Sequence, residues 1–363
     1  MDIQKFAQLC KKIVQGSDVS ALINNESRHS SKIAEMARDQ RVLPLWAYAV
    51  TAKDDMSARS VDKIVQTPVN YLMTNMRMKA QLLEIDKHLQ GTNIRPILLK
   101  GAVQLFDGVY PSIGMRYMAD IDILVNDEKF GLALREMGYV QKNPAIRDKY
   151  DNNGKPILKL GQRHLTPVMR ANDSVAIEPH LLVVDPMYLH LLPSNFVHTA
   201  IPIPGCHQLM QPSRQNHLIV ALIHGLLHDR DRLDGALLLR SLIECELLYE
   251  KFSESEKDAL AQHFLNCRSQ SFFSAWRALA DWLFQGDKRA NVRTIGSFLL
   301  IAEFRLRARG YRAVFLISVM HRIFAFTNFR YWSSGGAVRD GLRFIQKDFW
   351  LRIFDKFSNA LRG

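Results

Sequence analysis

Long hydrophobic runs are missing from this sequence. No stretch of its 363 residues approaches the ~18 to 20 consecutive apolar side chains that a membrane-crossing helix needs. The most apolar late segment, Val314 to Phe329, is interrupted by His321 and Arg322. The opening MDIQKFAQLCKKIVQGSD lacks the unbroken apolar core of a signal peptide, so none is expected. Cysteine is scarce too: Cys10, Cys206, Cys245 and Cys267 are scattered and share no metal-ligand spacing. That argues against a disulfide framework and for reduced thiols in a cytoplasmic protein. Neither a G-x-G-x-x-G nor a P-loop sequence occurs, which argues against Rossmann dinucleotide binding and P-loop kinases.

Acidic residues are the other shortage: 36 Asp and Glu against 48 Lys and Arg leave a formal charge of +12. The excess is concentrated late. Residues 303 to 363 hold twelve Lys or Arg against four Asp or Glu, and 13 of the 34 aromatics, among them Phe324, Phe326, Phe329, Tyr331 and Trp332. Basic charge interleaved with aromatics suits RNA, an anionic surface or a phosphorylated substrate. A helical subdomain with an aromatic core and solvated arginines is the plainer expectation.

What is present reads as three regions. Residues 1–90 carry helical periodicity, with Phe6, Leu9, Cys10 and Ile13 at helix spacing and a long stretch from Val69 to Leu89 free of internal Gly or Pro. Residues 91–205 read as an α/β core. Pro96 to Leu99 is a short buried strand entering a turn at Lys100-Gly101, and Ala102 to Val109 a helix stopped by Tyr110-Pro111. Asp120 to Val125 (DIDILV) shows the period-2 pattern of a strand, and Glu128 to Met137 a helix closed by Gly138. Ser174 to Val184 reads as a further strand, in which Pro179 suggests an edge or a bulge. After the IPIPG segment at 201–205, residues 206–363 are again helical, with a flexible break at Ser333 to Gly336. The expected class is α+β: a small mixed sheet between helical regions.

The chemistry lies in the middle region. Asp120 and Asp122 are two apart on a strand, so both carboxylates emerge on one face while Ile121 and Ile123 take the other. Like charges on one face repel unless a cation neutralises them, and a hard divalent ion such as magnesium, completing its shell with phosphates, is the natural candidate. A lone Asp-x-Asp is weak, but its neighbours strengthen it. Lys100-Gly101 forms a strand-to-helix turn where backbone amides can approach a phosphate. Arg116 can pair with phosphate as a bidentate fork. Glu178 supplies a third carboxylate from another strand, with His180 on its face by the i, i+2 rule.

The run ILLKGAVQLFDGVYPSIGMRYMADIDILV, followed by His164-Leu165, by IEPH, and by HLIVALIHGLLHD with Leu239 to Leu248, resembles the uncharacterised nucleotidyltransferase family of the DNA polymerase β-like superfamily. The resemblance spans roughly residues 80–250. It implies that Asp120, Asp122 and Glu178 bind two magnesium ions and that Gly101 holds the triphosphate, with Lys100, Arg116 and His180 beside it. It also implies transfer of a nucleoside monophosphate, AMP from ATP being the first expectation, to an acceptor. A small molecule is the first acceptor to consider, and a protein or RNA the second on the strength of the basic tail. A catalytically idle nucleotide- or nucleic-acid-binding module is the contrasting class. Two departures stand out: the superfamily's Gly-Ser turn is Lys100-Gly101-Ala102, without a serine hydroxyl, and Pro179 directly follows Glu178.

His217, His224 and His228-Asp229 offer a different chemistry. His224 and His228 are one helical turn apart and could share a metal. No acid stands at a persuasive remote position, and Asp231 and Asp234 are too close in sequence. A helix facing the cleft is the simpler expectation.

Overall fold

The computed structural model describes residues 3–17, 19, 31–51, 62–125, 129–142, 149–150, 156–157, 164–228, 238–285, 301 and 304. The chain opens with helices α1 (Ile3–Val14), α2 (Ser31–Asp39), α3 (Leu43–Thr51) and α4 (Asp62–His88). Helix α4 starts seven residues ahead of the periodic stretch at Val69 and carries Pro68 within its second turn.

The sheet strands are β1 (Ile97–Leu98), β2 (Ile121–Leu124), β3 (Val140–Gln141), β6 (Val168–Met169), β7 (Ile177–His180), β8 (Ile201–Pro202) and β9 (Met210–Gln211), with α5 (Lys129–Glu136) between β2 and β3. Strands β4 (Lys149–Tyr150) and β5 (Pro156–Ile157) form a separate antiparallel pair. The seven-stranded order is β3-β6-β7-β2-β1-β9-β8, mixed in direction. The C-terminal helices are α6 (Arg214–Leu222), α7 (Leu239–Glu250), α8 (Glu254–Asn266) and α9 (Gln270–Ala280). The α+β class, a mixed sheet flanked by helices, is therefore the observed one.

Strand alternation sorts the side chains of β2 between two cores. Ile121 and Ile123 join Met78, Leu82 and Ile85 of α4 and Phe130 of α5 on one face. Leu124, of opposite parity, joins the larger cluster in which Phe6, Leu9 and Trp46 of the N-terminal helices meet Leu242, Cys245 and Trp276 of the C-terminal ones. The face carrying Asp122 thus turns toward the helical half of the molecule.

Three local expectations are revised. Residues Lys100–Leu105 form a 3₁₀ turn rather than an α-helix over Ala102 to Val109. Lys100 enters it with φ of 50°, and Asp107 Oδ1 accepts from Val109 N (2.9 Å), closing the segment before a further turn could add. The strand around Glu178 is four residues long, because after the Val125 N to His180 O bond (2.8 Å) Val183 and Val184 leave the ladder for the helical core. Pro179 lies neither at an edge nor in a bulge: β7 sits between β6 and β2, and its register with β2 is unbroken. Its carbonyl accepts from Leu165 N (2.8 Å), so its nitrogen faces away from β2. There the ladder with β6 is a single pair, Val168 with Ile177, and the missing N–H removes nothing from the β2 side.

Gly138 ends α5 as expected, with φ of 87° and the Tyr139 N to Leu134 O bond (2.9 Å) that a left-handed cap makes. Glu128, Asp229, Asp231, Asp234, the Ser333–Gly336 break and, Phe304 apart, the basic aromatic segment 303–363 lie outside the described residues. Phe304 itself is buried, edge-on to Trp282 at 6.4 Å. Among the described residues no helix is long and apolar enough to cross a membrane.

Candidate active site

Parallel pairing of β2 with β7 sets Asp122 directly opposite Glu178 and Leu124 opposite His180. Three groups converge on the two carboxylates. His180 Nε2 lies 2.7 Å from Asp122 Oδ1 and 3.2 Å from Glu178 Oε2. With carboxylate oxygens on that side, Nε2 carries the proton and donates. Lys100 Nζ donates to Asp122 Oδ1 at 2.5 Å. His164 Nδ1 stands 3.6 Å from Glu178 Oε1, and its ring is 5.4 Å from that of His180.

These contacts set the electrostatics. Burial pushes the Asp122 carboxyl up, but the charge of Lys100 and the hydrogen bond from His180 outweigh it and hold the group well below the usual carboxylate range. Glu178 is likewise lowered: burial opposes, and the His180 hydrogen bond prevails. Asp120, just ahead of β2, is raised by its enclosure in the cleft and by the charge of Asp122. Among the described residues, Asp122, Glu178 and His180 form the group of three whose ligand atoms lie within 4.8 Å of one another, close enough to share a metal ion. Asp120 lines the same cleft but falls outside that group.

The cleft, about 700 Å³, joins the sheet to the helical half. Lys100, Gly101, Asp120, Asp122 and Glu178 form the sheet side; His217, His224, Arg240 and Glu244 come from the helices. Arg116 lies between them, and its guanidinium is already committed. Nε is 2.8 Å from Glu244 Oε1, Nη2 donates to Glu244 Oε2 at 3.3 Å, and Nη1 donates to the Tyr117 carbonyl at 3.1 Å. The same guanidinium packs on Gly101 so closely that a Cβ there would stand 2.8 Å from Arg116 Cζ. Gly101 is thus demanded by the approach of Arg116. Asn75 of α4, fully buried, donates to the Arg116 carbonyl (2.9 Å) and fixes the loop between Pro111 and Ala119 onto α4.

The histidine series divides. His217 and His224 line the cleft, whereas His228 Nε2 pairs with Asp185 Oδ2 at 3.2 Å. Asp185 is a remote acid that the spacing of the motif does not reveal. Even so, the His224–His228 pair (ring centroids 5.0 Å apart) belongs to no three-ligand group among the described residues. These side chains lie on a π-helical extension, Ile223–His228, that continues α6. Gly225 lets it close on α7: a Cβ there would stand 2.6 Å from Ser241 Cβ.

Sequence reasoning passed over Glu244, Arg240 and Arg41. A signal for the first was available: LRSLIECELLYE is buried along most of its length, so its two buried glutamates, Glu244 and Glu246, had to find cationic partners inside. Comparison with known proteins adds the following. A family model described as "Uncharacterised nucleotidyltransferase" matches residues 26–285, which takes in every residue lining the cleft. No curated protein and no solved structure matches the chain.

Proposed function

The chain belongs to the uncharacterised nucleotidyltransferase family, and from that premise we propose that it is a magnesium-dependent enzyme moving AMP from ATP to a small acceptor. The observation that carries this reading is Asp122 opposite Glu178 at the cleft, with Lys100 and His180 drawn onto them. A carboxylate pair that recruits an ammonium and an imidazole N–H in this way is a site built around positive charge.

The donor set fits a divalent ion. Asp120, Asp122 and Glu178 offer the hard oxygen ligands that magnesium requires, and His180 Nε2 would become a supplementary ligand once its proton moves to Nδ1. Bound there, the metal would supply charge neutralisation at the phosphates and a lowered proton affinity at the nucleophile. The chain's own residues do the rest. Lys100, released from Asp122, meets the triphosphate. Gly101 keeps the turn low enough for Arg116 to seat behind it, so that Arg116 braces the turn. An acceptor hydroxyl attacks the α-phosphorus, a new P–O bond forms, and the bond to the bridging oxygen of the β-phosphate breaks as pyrophosphate leaves with its electron pair. The proton of the attacking hydroxyl passes to a carboxylate oxygen of Asp120, whose proton affinity is raised by its setting at the cleft wall and by the charge of Asp122.

A small acceptor is favoured because a cleft of about 700 Å³ is of small-molecule size. Transfer to a protein or to RNA rests on residues 303–363, nearly all outside the described residues. The test is calorimetric titration of magnesium and a non-hydrolysable ATP analogue into the wild type, Asp120→Asn and Asp122→Asn, followed by label transfer from α-labelled ATP. Binding by both variants at wild-type affinity places the metal site elsewhere and refutes the reading.

A further inference from the structure

The two sides of the cleft carry opposite charge. On the sheet side, Asp120, Asp122 and Glu178 outnumber Lys100. On the helical side, Arg41 and Arg240, together with Arg116 between the two sides, outnumber Glu244 and Asp39. The acids are accounted for by the proposed metal and Arg116 by Glu244; the guanidiniums of Arg41 and Arg240 remain.

Glu244 cannot satisfy all three. Its two oxygens engage Arg116 at 2.8 and 3.3 Å, and Arg240 Nε remains 3.7 Å from Oε1, beyond hydrogen-bond distance. Arg240 is nevertheless largely enclosed, its side chain 13% exposed, and like Arg116 Nε its Nε makes no aligned hydrogen bond among the described residues, without the 2.8 Å ion pair that Arg116 Nε has. Its Nη1 makes a long contact, 3.4 Å, to the Tyr117 carbonyl. Burial and the neighbouring charge of Arg116 lower its proton affinity against the pull of Glu244, as expected for a cation short of an anion.

The backbone builds the same wall. Arg240 is the second residue of α7, and the first amides of that helix are capped by one residue from the N-terminal region. Gln40 Oε1 accepts from Leu239 N (3.0 Å) and the Gln40 carbonyl from Arg240 N (3.4 Å). The next residue, Arg41, is held left-handed at φ of 55°, a conformation costly for a side chain with a Cβ. This turn brings Arg41 to the cleft beside Arg240, at the positive end of a twelve-residue helix.

We propose that Arg41 and Arg240, held together where Gln40 caps α7, form a subsite for an oxyanion of the acceptor, so that the molecule receiving the nucleotide carries a phosphate or a carboxylate. The assignment to the acceptor rests on the nucleotide lying against the sheet side, as proposed above. Arg240 offers the fork that such a group takes, and Arg41 closes it from the rim.

The test uses the full chain. Inorganic phosphate and malonate are titrated separately into protein loaded with magnesium and a non-hydrolysable ATP analogue, for the wild type, Arg41→Asn and Arg240→Gln. Asn tolerates the left-handed backbone, so Arg41→Asn removes the charge and keeps the turn, and it keeps the test decisive if Arg240→Gln fails to fold. The expected result is that at least one anion binds the loaded wild type, at about tenfold lower affinity in either variant. Nucleotide affinity should stay within about twofold, since no nucleotide contact is removed; the tighter of the two anions names the acceptor's group. Loaded wild type that binds neither anion overturns the proposal, and so does binding that both variants leave unchanged. Nucleotide affinity falling in parallel overturns it too, by giving the wall to the nucleotide's own phosphates. If the wild type binds no nucleotide, nucleotidyl transfer itself fails. Anion binding to the unloaded protein, lost in the variants, would then mark an anion site without an acceptor.

Discussion

Gly101→Ala should destabilise the protein through one side chain, Arg116, and this can be isolated. The added Cβ would overlap Arg116 Nη1 and stand 2.8 Å from Cζ and 3.1 Å from Nη2. Carbon and nitrogen atoms rest at roughly 3.5 Å, so the guanidinium must retreat by on the order of 1 Å. An exposed arginine would swing aside, but this one is 7% exposed and held by Glu244 and the Tyr117 carbonyl. Retreat of that size breaks the 2.8 Å contact to Glu244 and leaves a buried carboxylate poorly paired. Overpacking costs about 1–3 kcal/mol, and a broken buried pair about 3–5, so about 3 kcal/mol is expected.

The control is the same substitution in an Arg116→Ala background. Gly101 needs no left-handed backbone, so with the guanidinium gone alanine should be neutral there, or stabilising by up to ~1 kcal/mol through the unfolded chain. Urea denaturation of the four proteins, followed by tryptophan fluorescence, closes the cycle, and the coupling should be about 3 kcal/mol. Equal costs in the two backgrounds would show that Gly101 answers to something other than Arg116, and the bracing role assigned to that arginine would go with it.

Further outcomes follow from the same contacts. Burial pushes the Asp107 carboxyl up from 3.8 to about 6, so its ionisation opposes folding. Its favourable term is full below the unfolded value and lost as pH rises through about 6. Asp107→Asn should therefore stabilise the protein at pH 8, by at most on the order of 3 kcal/mol, and the gain should shrink as pH falls from 6 toward 4; a pH-independent difference in urea midpoints would contradict this. Buried Asp86 accepts from the amides of His207, Gln208 and Leu209 at 2.8, 2.7 and 2.9 Å. Asp86→Ala should cost at least about 2 kcal/mol in thermal melts while nucleotide titrations stay unchanged, and a loss of binding would tie that turn to the cleft. Gly225→Ala should lower stability and be rescued by Ser241→Gly, since the clash is with Ser241 Cβ; failure of rescue would leave the close approach of the π-turn to α7 without consequence.

Much of the fold was legible because strand alternation is a local property. DIDILV places its isoleucines on one face and Asp122 on the other whatever the strand pairs with. Strand length was not legible. Val183 and Val184 satisfy the apolar pattern of a strand as well as that of a core segment, and packing against the helical half decided between them. The same limit applied to IPIPG and its successor. They looked like a break in pattern, yet they supply β8 and β9, the latter pairing in parallel with β1 through Ile97 and Met210. A two-residue strand is too short to show periodicity and is held by its partner alone.

The candidate site divides along the same line, between what one segment determines and what two must determine together. Asp122 on β2 with Asp120 just ahead of it, Glu178 with His180 on one face of β7, and the glycine turn could each be read within a few residues. That Lys100 reaches Asp122 depends on β1 lying beside β2, a pairing no local pattern specifies. Arg116 shows the distinction most clearly. Its residue type and its place ahead of the acids suggest a phosphate fork, but the structure gives that fork to Glu244, 128 residues later. A buried guanidinium seeks a carboxylate, and the nearest one arrives on α7. With Arg116 spent in this way, the uncommitted positive charge of the cleft passes to Arg240 and Arg41, brought together by a helix cap contributed from 199 residues earlier in the chain. What the cleft can bind on its helical side is therefore a property of the packed molecule, carried by residues that no motif marks.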